Sequence, residues 1–176
     1  MDFFEVVEAR RSVRSYLDKE VEQEKIQKIL ETVNKAPSAG NLQGYEVIIV
    51  RDANRKAALR DAAYGQTVLT QVPVALVFCA DHLLSSSKYG SRGYNLYAIQ
   101  DATIAAAYCQ LAATALGLAT VWVGAFDPEA VAKAVETPEG ITPVAIIPIG
   151  YAAESPEMRP RRDLNDLVRC ETWSNK

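Results

Sequence analysis

The chain has 176 residues and a mass of 19.3 kDa, enough for one compact domain and too little for two well-cored ones. A hydrophobic fraction of 49% with 23% charged residues excludes a disordered chain. Nineteen basic residues against 22 acidic ones, a net charge of −3, argue against a domain that coats nucleic acid, and no nucleic-acid partner is expected.

In chain order, Asp2 and Glu5 read as a capping box that opens a short helix with Phe3, Val6 and Val7 on its apolar face. The segment from Arg10 to Tyr16 breaks that pattern. Ile26, Ile29, Leu30 and Val33 recur at helical spacing and predict an amphipathic helix over 22–36, stopped by Pro37. Pro37 to Gly44 is a loop of turn-formers. A short strand follows over Glu46–Val50, a helix over Asn54–Tyr64 and a buried strand over Val74–Cys79. Residues 81–94 carry serines, glycines and tyrosines without periodicity and read as a mobile loop or lid, with His82 at the surface in a polar turn. Residues 95–116 form the longest helix, apolar nearly all round and lined with alanine, as a central helix would be. Its alanine content, Gln110 and the preceding Asp101 fit a buried helix better than a membrane span, so no membrane partner is expected. Thr120–Val123 is a strand, Asp127 and Pro128 open a helix to Val135, and Val144–Ile149 is another buried strand. Beyond Tyr151 the chain is rich in proline and arginine and reads as extended. No linker or repeat divides residues 1–176, and alternating helices and short strands predict one mixed α/β layered domain.

Several chemistries are excluded. Cys79, Cys109 and Cys170 form no CxxC pair, and Cys79 and Cys109 lie in apolar runs that suit buried thiols. One histidine is a poor basis for a zinc site or a Ser–His–Asp hydrolase, so no metal is expected. The acidic N-terminus has no secretory pattern, and with the unpaired thiols it points to a reducing cytoplasm. There is neither a GxGxxG nor a P-loop, and no carboxylate pair at acid–base spacing. An enzyme so furnished would draw its chemistry from a bound cofactor, and no side chain stands out as catalytic.

Six of the eleven arginines nevertheless fall in two short runs: Arg10, Arg11 and Arg14, then Arg159, Arg161 and Arg162. Guanidinium forks and the hydroxyl of Ser12 suit phosphate oxygens, although either run alone also fits solvated basic chain. Two such runs in an acidic protein can converge on one dianion. Gly124, between Trp122 and Asp127, lets a flat ligand approach the backbone, or marks a plain strand-to-helix turn. The Pro37–Gly44 loop, with Ser38 and Asn41, taken alone is an ordinary connection.

Together these segments are more specific. RRSVRSY at 10–16, APSAGNLQ at 36–43, GLATVWVGAF at 117–126, PVAIIPIGY at 143–151 and RPRRDL at 159–164 resemble the FMN-dependent nitroreductase family in content, order and spacing. The resemblance covers nearly the whole chain. It implies an α+β fold: a three-layer α/β/α sandwich about a central, mostly antiparallel mixed sheet, built as an intertwined homodimer with FMN at the interface. By position, Arg10, Arg11, Ser12 and Arg14 would hold the FMN phosphate, ribityl chain and pyrimidine edge. Arg159 and Arg161 would close on the phosphate, while Arg162 falls where the family is tolerant. Pro37, Ser38, Ala39 and Asn41 would reach the partner's flavin, Gly124 and Ala125 would lie against the ring, and the segment 152–176 would pack on the partner subunit. Members usually read Gln-Pro-Trp where this chain has Gln43-Gly44-Tyr45, so a looser loop is expected here. The implied activity passes hydride from NAD(P)H through FMN to a small acceptor such as a nitroaromatic or quinone. A dehydrogenase or dehalogenase relative, and a flavin-binding sensor without turnover, use the same cofactor residues. Tyr64, Tyr89, Tyr94 and Tyr97 could stack on flat substrates or serve as packing.

Overall fold

The computed structural model describes residues 1–174; residues 175 and 176, the end of the 152–176 segment, lie outside the described residues. Four strands, β1 (Tyr45–Val50), β2 (Val74–Asp81), β3 (Ala119–Thr120) and β4 (Ile141–Gly150), form one sheet in the order β1-β2-β4-β3. Every named strand pair is antiparallel, and a parallel bridge from Ser12 to Thr120 makes the sheet mixed.

Strand β2 explains why the molecule has three layers. Successive strand residues point to opposite faces. Val74, Leu76 and Phe78 pack under Ile26, Ile29 and Val33 of α2 (Gln23–Val33) and under Ala105, Ala106, Cys109 and Ala113 of α6 (Ala98–Ala115). Ala75, Val77 and Cys79 pack on the other side against Leu59 of α3 (Ala53–Ala62), Leu69 of α4 (Val68–Gln71) and Val131 and Val135 of α7 (Pro128–Val135). A strand covered on both faces reads as an unbroken apolar run, which is what the sequence over 74–79 contains. The result is an α/β/α sandwich with the alanine-lined α6 lying on the sheet, where small side chains permit close approach.

At the N-terminus, α1 (Phe3–Ala9) starts with the expected capping box: the Glu5 amide donates to Asp2 Oδ1 at 2.9 Å and the Asp2 amide to Glu5 Oε2 at 2.7 Å. Of its apolar residues only Val6 is buried; Phe3, Phe4 and Val7 are exposed.

Residues 81–94 differ from the expected loop. They form α5 (His82–Arg92), broken by a kink at Gly90 with φ 54°, which runs into a π-helical turn (Gly93–Tyr97) and then α6. Asp81 caps α5 by accepting from the Leu84 amide at 2.8 Å, and the Ser86 and Ser87 hydroxyls donate to the carbonyls of Leu83 and Leu84. Such bonds satisfy serine within a helix and leave no periodic apolar signal. His82 is also not at the surface. It is 7% exposed, with Nδ1 2.5 Å from the Tyr94 carbonyl and its ring 4.7 Å from that of Tyr94. The third strand is shorter than expected: β3 ends at Thr120, and the chain returns to the sheet only at the Val123–Ile146 bridge. The extended tail holds a short helix, α8 (Leu164–Leu167), capped by Asp163, whose side chain accepts from the Asn165 amide at 2.8 Å.

Among the described residues no helix is long and apolar enough to cross a membrane. The buried cysteines give a simple test. Burial, with Glu46 nearby, pushes the Cys79 thiol up to about 12, and burial alone also raises Cys109, whereas Cys170 is exposed. Thiolate is the reactive form. The native protein at pH 8 is therefore expected to give one fast thiol with Ellman's reagent, and three after denaturation.

Candidate functional site

The arginine runs are brought together by a clamp between distant segments. The Leu17 amide donates to the Tyr151 carbonyl and the Ala153 amide to the Ser15 carbonyl, both at 2.9 Å. The Glu154 carboxylate then accepts from the amides of Arg14 and Ser15, at 2.5 and 3.0 Å. Held this way, the tail passes beside the end of α1. Arg10, Arg11, Ser12, Arg14, Arg159 and Arg161 line one cleft of about 1110 Å³.

The electrostatics of this cleft are unbalanced. Among the described residues no carboxylate lies within ion-pair distance of any of its five arginines. Elsewhere, by contrast, Arg55 pairs with Glu136 at 2.9 Å and Arg60 with Asp61 at 2.7 Å. Burial, then Arg161 and Arg11, hold the Arg10 guanidinium below its ordinary range. Like charges crowded into a partly desolvated cleft make an anion site. Arg11 is steadied by donating to the Glu8 and Arg10 carbonyls, and Arg14 by donating to the Ser12 carbonyl at 3.2 Å. Arg162 donates to the Asp166 carbonyl at 2.7 Å and does not line the cleft. Inorganic phosphate is accordingly expected to raise the melting temperature of the ligand-free protein in a saturable way, and less so for Arg161→Ala. Thermal shift against phosphate concentration, with chloride matched for ionic strength, measures it.

The remaining predicted residues lie elsewhere in the chain. Pro37, Ser38 and Ala39 line a separate cavity of about 490 Å³ with Tyr97, Ile99, Asp101 and Ile104. Asn41 ends a one-turn 3₁₀ helix (Ala39–Asn41) in the left-handed region, with φ 56°. The loop is not loose. The Gln43 amide donates to Ser38 Oγ at 2.9 Å, Gln43 Nε2 to Asn34 Oδ1 at 2.8 Å, and the Tyr45 hydroxyl to the Val33 carbonyl at 3.0 Å. These bonds restrain the loop on either side of Gly44.

Gly124 and Ala125 are exposed in the turn before α7 and line neither cavity. A Cβ at Gly124 would meet Trp122 Nε1 at 2.8 Å, so a side chain there would require the indole to shift. Their amides make no hydrogen bond among the described residues, while the Ala125 carbonyl accepts from Gln66 Nε2 at 3.0 Å.

Two residues were missed from sequence. Glu154 aligns the arginine runs, and nothing in its neighbourhood marks it. Asp101, 2% exposed in α6, had a signal: a carboxylate in an otherwise apolar helix must find buried donors.

The fold and cleft define an α/β/α sandwich on a mostly antiparallel mixed sheet, with an arginine-lined cleft where the two runs meet. The chain belongs to the Nitroreductase family, whose family model matches residues 7–68 and 61–151. It is 34% identical over 179 residues to the Bacillus subtilis FMN reductase (NAD(P)H), covering 94% of this chain and 72% of that protein. It is 32% identical over 186 residues to a Thermus thermophilus NADH dehydrogenase, covering 90% and 91%. The solved structure of the hypothetical oxidoreductase YcnD from Bacillus subtilis superposes with a TM-score of 0.91 at 32% identity, covering all of this chain and 76% of that one.

Proposed function

We propose that this protein is an FMN-dependent oxidoreductase that takes hydride from NADH or NADPH and delivers it to a small oxidised acceptor such as a nitroaromatic or quinone. The observation that carries the reading is the cleft of arginines without carboxylates in ion-pair distance, in which burial and then the charges of Arg161 and Arg11 disfavour the Arg10 guanidinium. A flavin phosphate would complement five arginines that outnumber the two glutamates, Glu8 and Glu157, also lining the cleft. The family membership, and relatives described as an FMN reductase and an NADH dehydrogenase, support the same cofactor and donor.

Arg10, Arg11, Arg159 and Arg161 would hold the phosphate, with the Ser12 hydroxyl as a neutral donor. Arg14 keeps its charge free for the ring edge, where a cation stabilises the negative charge that reduction creates. The unpartnered amides of Gly124 and Ala125 would orient the ring. FMN, when bound, supplies the hydride chemistry, so the chain needs no proton-transferring side chain of its own.

We further infer a homodimer. Pro37, Ser38, Ala39 and Asn41 lie apart from the arginine cleft of their own chain, and a second copy could bring them to it. Phe3, Phe4, Leu164, Leu167 and Trp173, exposed in the single chain, give apolar surface for a partner to cover, and the single domain's 152–176 segment would reach across. A reducing cytoplasm suits its unpaired thiols.

The deciding experiment is the visible spectrum of the purified protein. Flavin absorbance, release of FMN on denaturation and bleaching by NAD(P)H are expected; a colourless protein that takes up no added FMN overturns the reading. A monomeric mass by light scattering at micromolar concentration overturns the dimer.

A further inference from the structure

The geometry points to Asp101 as a positioning residue that holds the 37–44 loop in its binding shape, with Gly44 as its matched partner. The inference rests on the FMN reading above and deepens it, because this loop is the second segment assigned to the cofactor. Asp101 sits in α6, 2% exposed, and no cation is within ion-pair distance among the described residues. Its charge is met by the loop's backbone instead. The Ala39 amide donates to Oδ1 at 3.0 Å and the Gly44 amide to Oδ2 at 3.4 Å, so one carboxylate ties both ends of a six-residue turn. The bond from Ala39 is a charge-assisted one, costly to remove from a buried carboxylate, while the bond from Gly44 is longer and weaker and serves as the second tie.

Gly44 suits this arrangement twice over. It retains an N–H, which proline would lack. It also has no side chain: a Cβ there would lie 3.3 Å from Asp101 Oδ2 and 3.4 Å from Ser85 Cβ. Gln43, just before it, is in the left-handed region with φ 53°, a conformation that a following proline disfavours. Gly44 and the carboxylate beneath it thus form one device. The loop is fixed from below by a charge rather than from within by a ring.

The test uses full-length protein carrying Asp101→Asn, Asp101→Ala, Gly44→Ala, and Gly44→Ala combined with Asp101→Ala. Amide exchange in FMN-free protein is read by NMR at Ala39 and Gly44, and FMN affinity by quenching of flavin fluorescence. Asp101→Ala is expected to lose protection at both amides and weaken FMN binding about tenfold or more. Asp101→Asn, which keeps the shape but offers one carbonyl oxygen, is expected to lose protection at one amide and to fall between Asp101→Ala and wild type. Gly44→Ala is expected to weaken FMN binding in the native background and to have little further effect once Asp101 is alanine. A merely structural carboxylate would not produce that coupling. Unchanged protection at both amides in Asp101→Ala overturns the proposal. So does lost protection with unchanged FMN affinity, or strictly additive effects at the two sites. A wild-type protein that binds no FMN overturns the cofactor reading instead, and the exchange data then still decide whether Asp101 holds the loop.

Discussion

The double variant Arg10→Ala/Arg161→Ala is expected to bind FMN roughly 10²–10⁴-fold more weakly while its ligand-free form melts at a higher temperature than wild type. The first effect follows from losing two charge-assisted contacts of about 1.5–3 kcal/mol each. The second follows from the sign of the Arg10 perturbation. Burial, Arg161 and Arg11 lower its pKa in the folded chain, so folding disfavours the protonated form. That penalty is present at all pH values below the folded pKa and disappears only as pH rises through the unfolded value, so it operates fully at pH 7. Removing the guanidinium removes the penalty. Salt screens the repulsion from Arg161 and Arg11 but not the larger effect of burial, so the gain should shrink only in part between about 10 and 200 mM salt. Fluorescence titration and calorimetry of the ligand-free protein measure the two halves. Loss of affinity without any gain in melting temperature would mean that repulsion in the cleft is relieved by solvent, and that the arginines are not held in tension.

Phe78→Ala should have the largest effect on the fold itself, about 3–5 kcal/mol. Phe78 is fully buried in β2 beneath α2 and α6, beside a bulge where the pairing with β4 shifts register. A domain of this size has on the order of 5–15 kcal/mol in total. The variant is thus expected to melt roughly 10 °C lower or more, with reduced urea midpoint and little change in m-value. Phe78→Leu, which fills most of the volume, should recover the larger part. A drop of under about 1 kcal/mol for Phe78→Ala would mean that the α2/α6 layer relaxes into the space.

How far the sequence could be read depended on whether a feature was local. The capping box at Asp2 and Glu5, the period of α2 and the apolar run of β2 each act within a few residues, and each was legible. The helix over 82–92 was not, because serines fill much of it, its backbone kinks at Gly90, and its aspartate cap is its one local helix signal. His82 was misplaced because its neighbour Tyr94 is twelve positions away, on the next element. In the candidate site, residue identities and order carried the family resemblance, and the convergence of Arg10 with Arg161 was an expectation that the fold realises. The roles of Glu154 and Asp101 depend on separations of 140 and 62 positions, for which a single sequence holds no signal beyond an unexplained charge. The antiparallel order β1-β2-β4-β3 is equally non-local.

The clamp between residues 14–17 and 151–154 also constrains when the cleft can exist. Its two halves come from stretches synthesised far apart in time, since Glu154 reaches back 140 positions to the Arg14 amide. During translation the first arginine run emerges early and remains without its counterpart until residues 159–161 have cleared the ribosome. Contacts separated this far in sequence form only after the intervening chain is in place. A nascent or prematurely terminated chain can therefore form the capped α1 and much of the sheet yet have no closed anion cleft. An anion can therefore be enclosed between the two runs only after residues 159–161 have been synthesised and the clamp has closed.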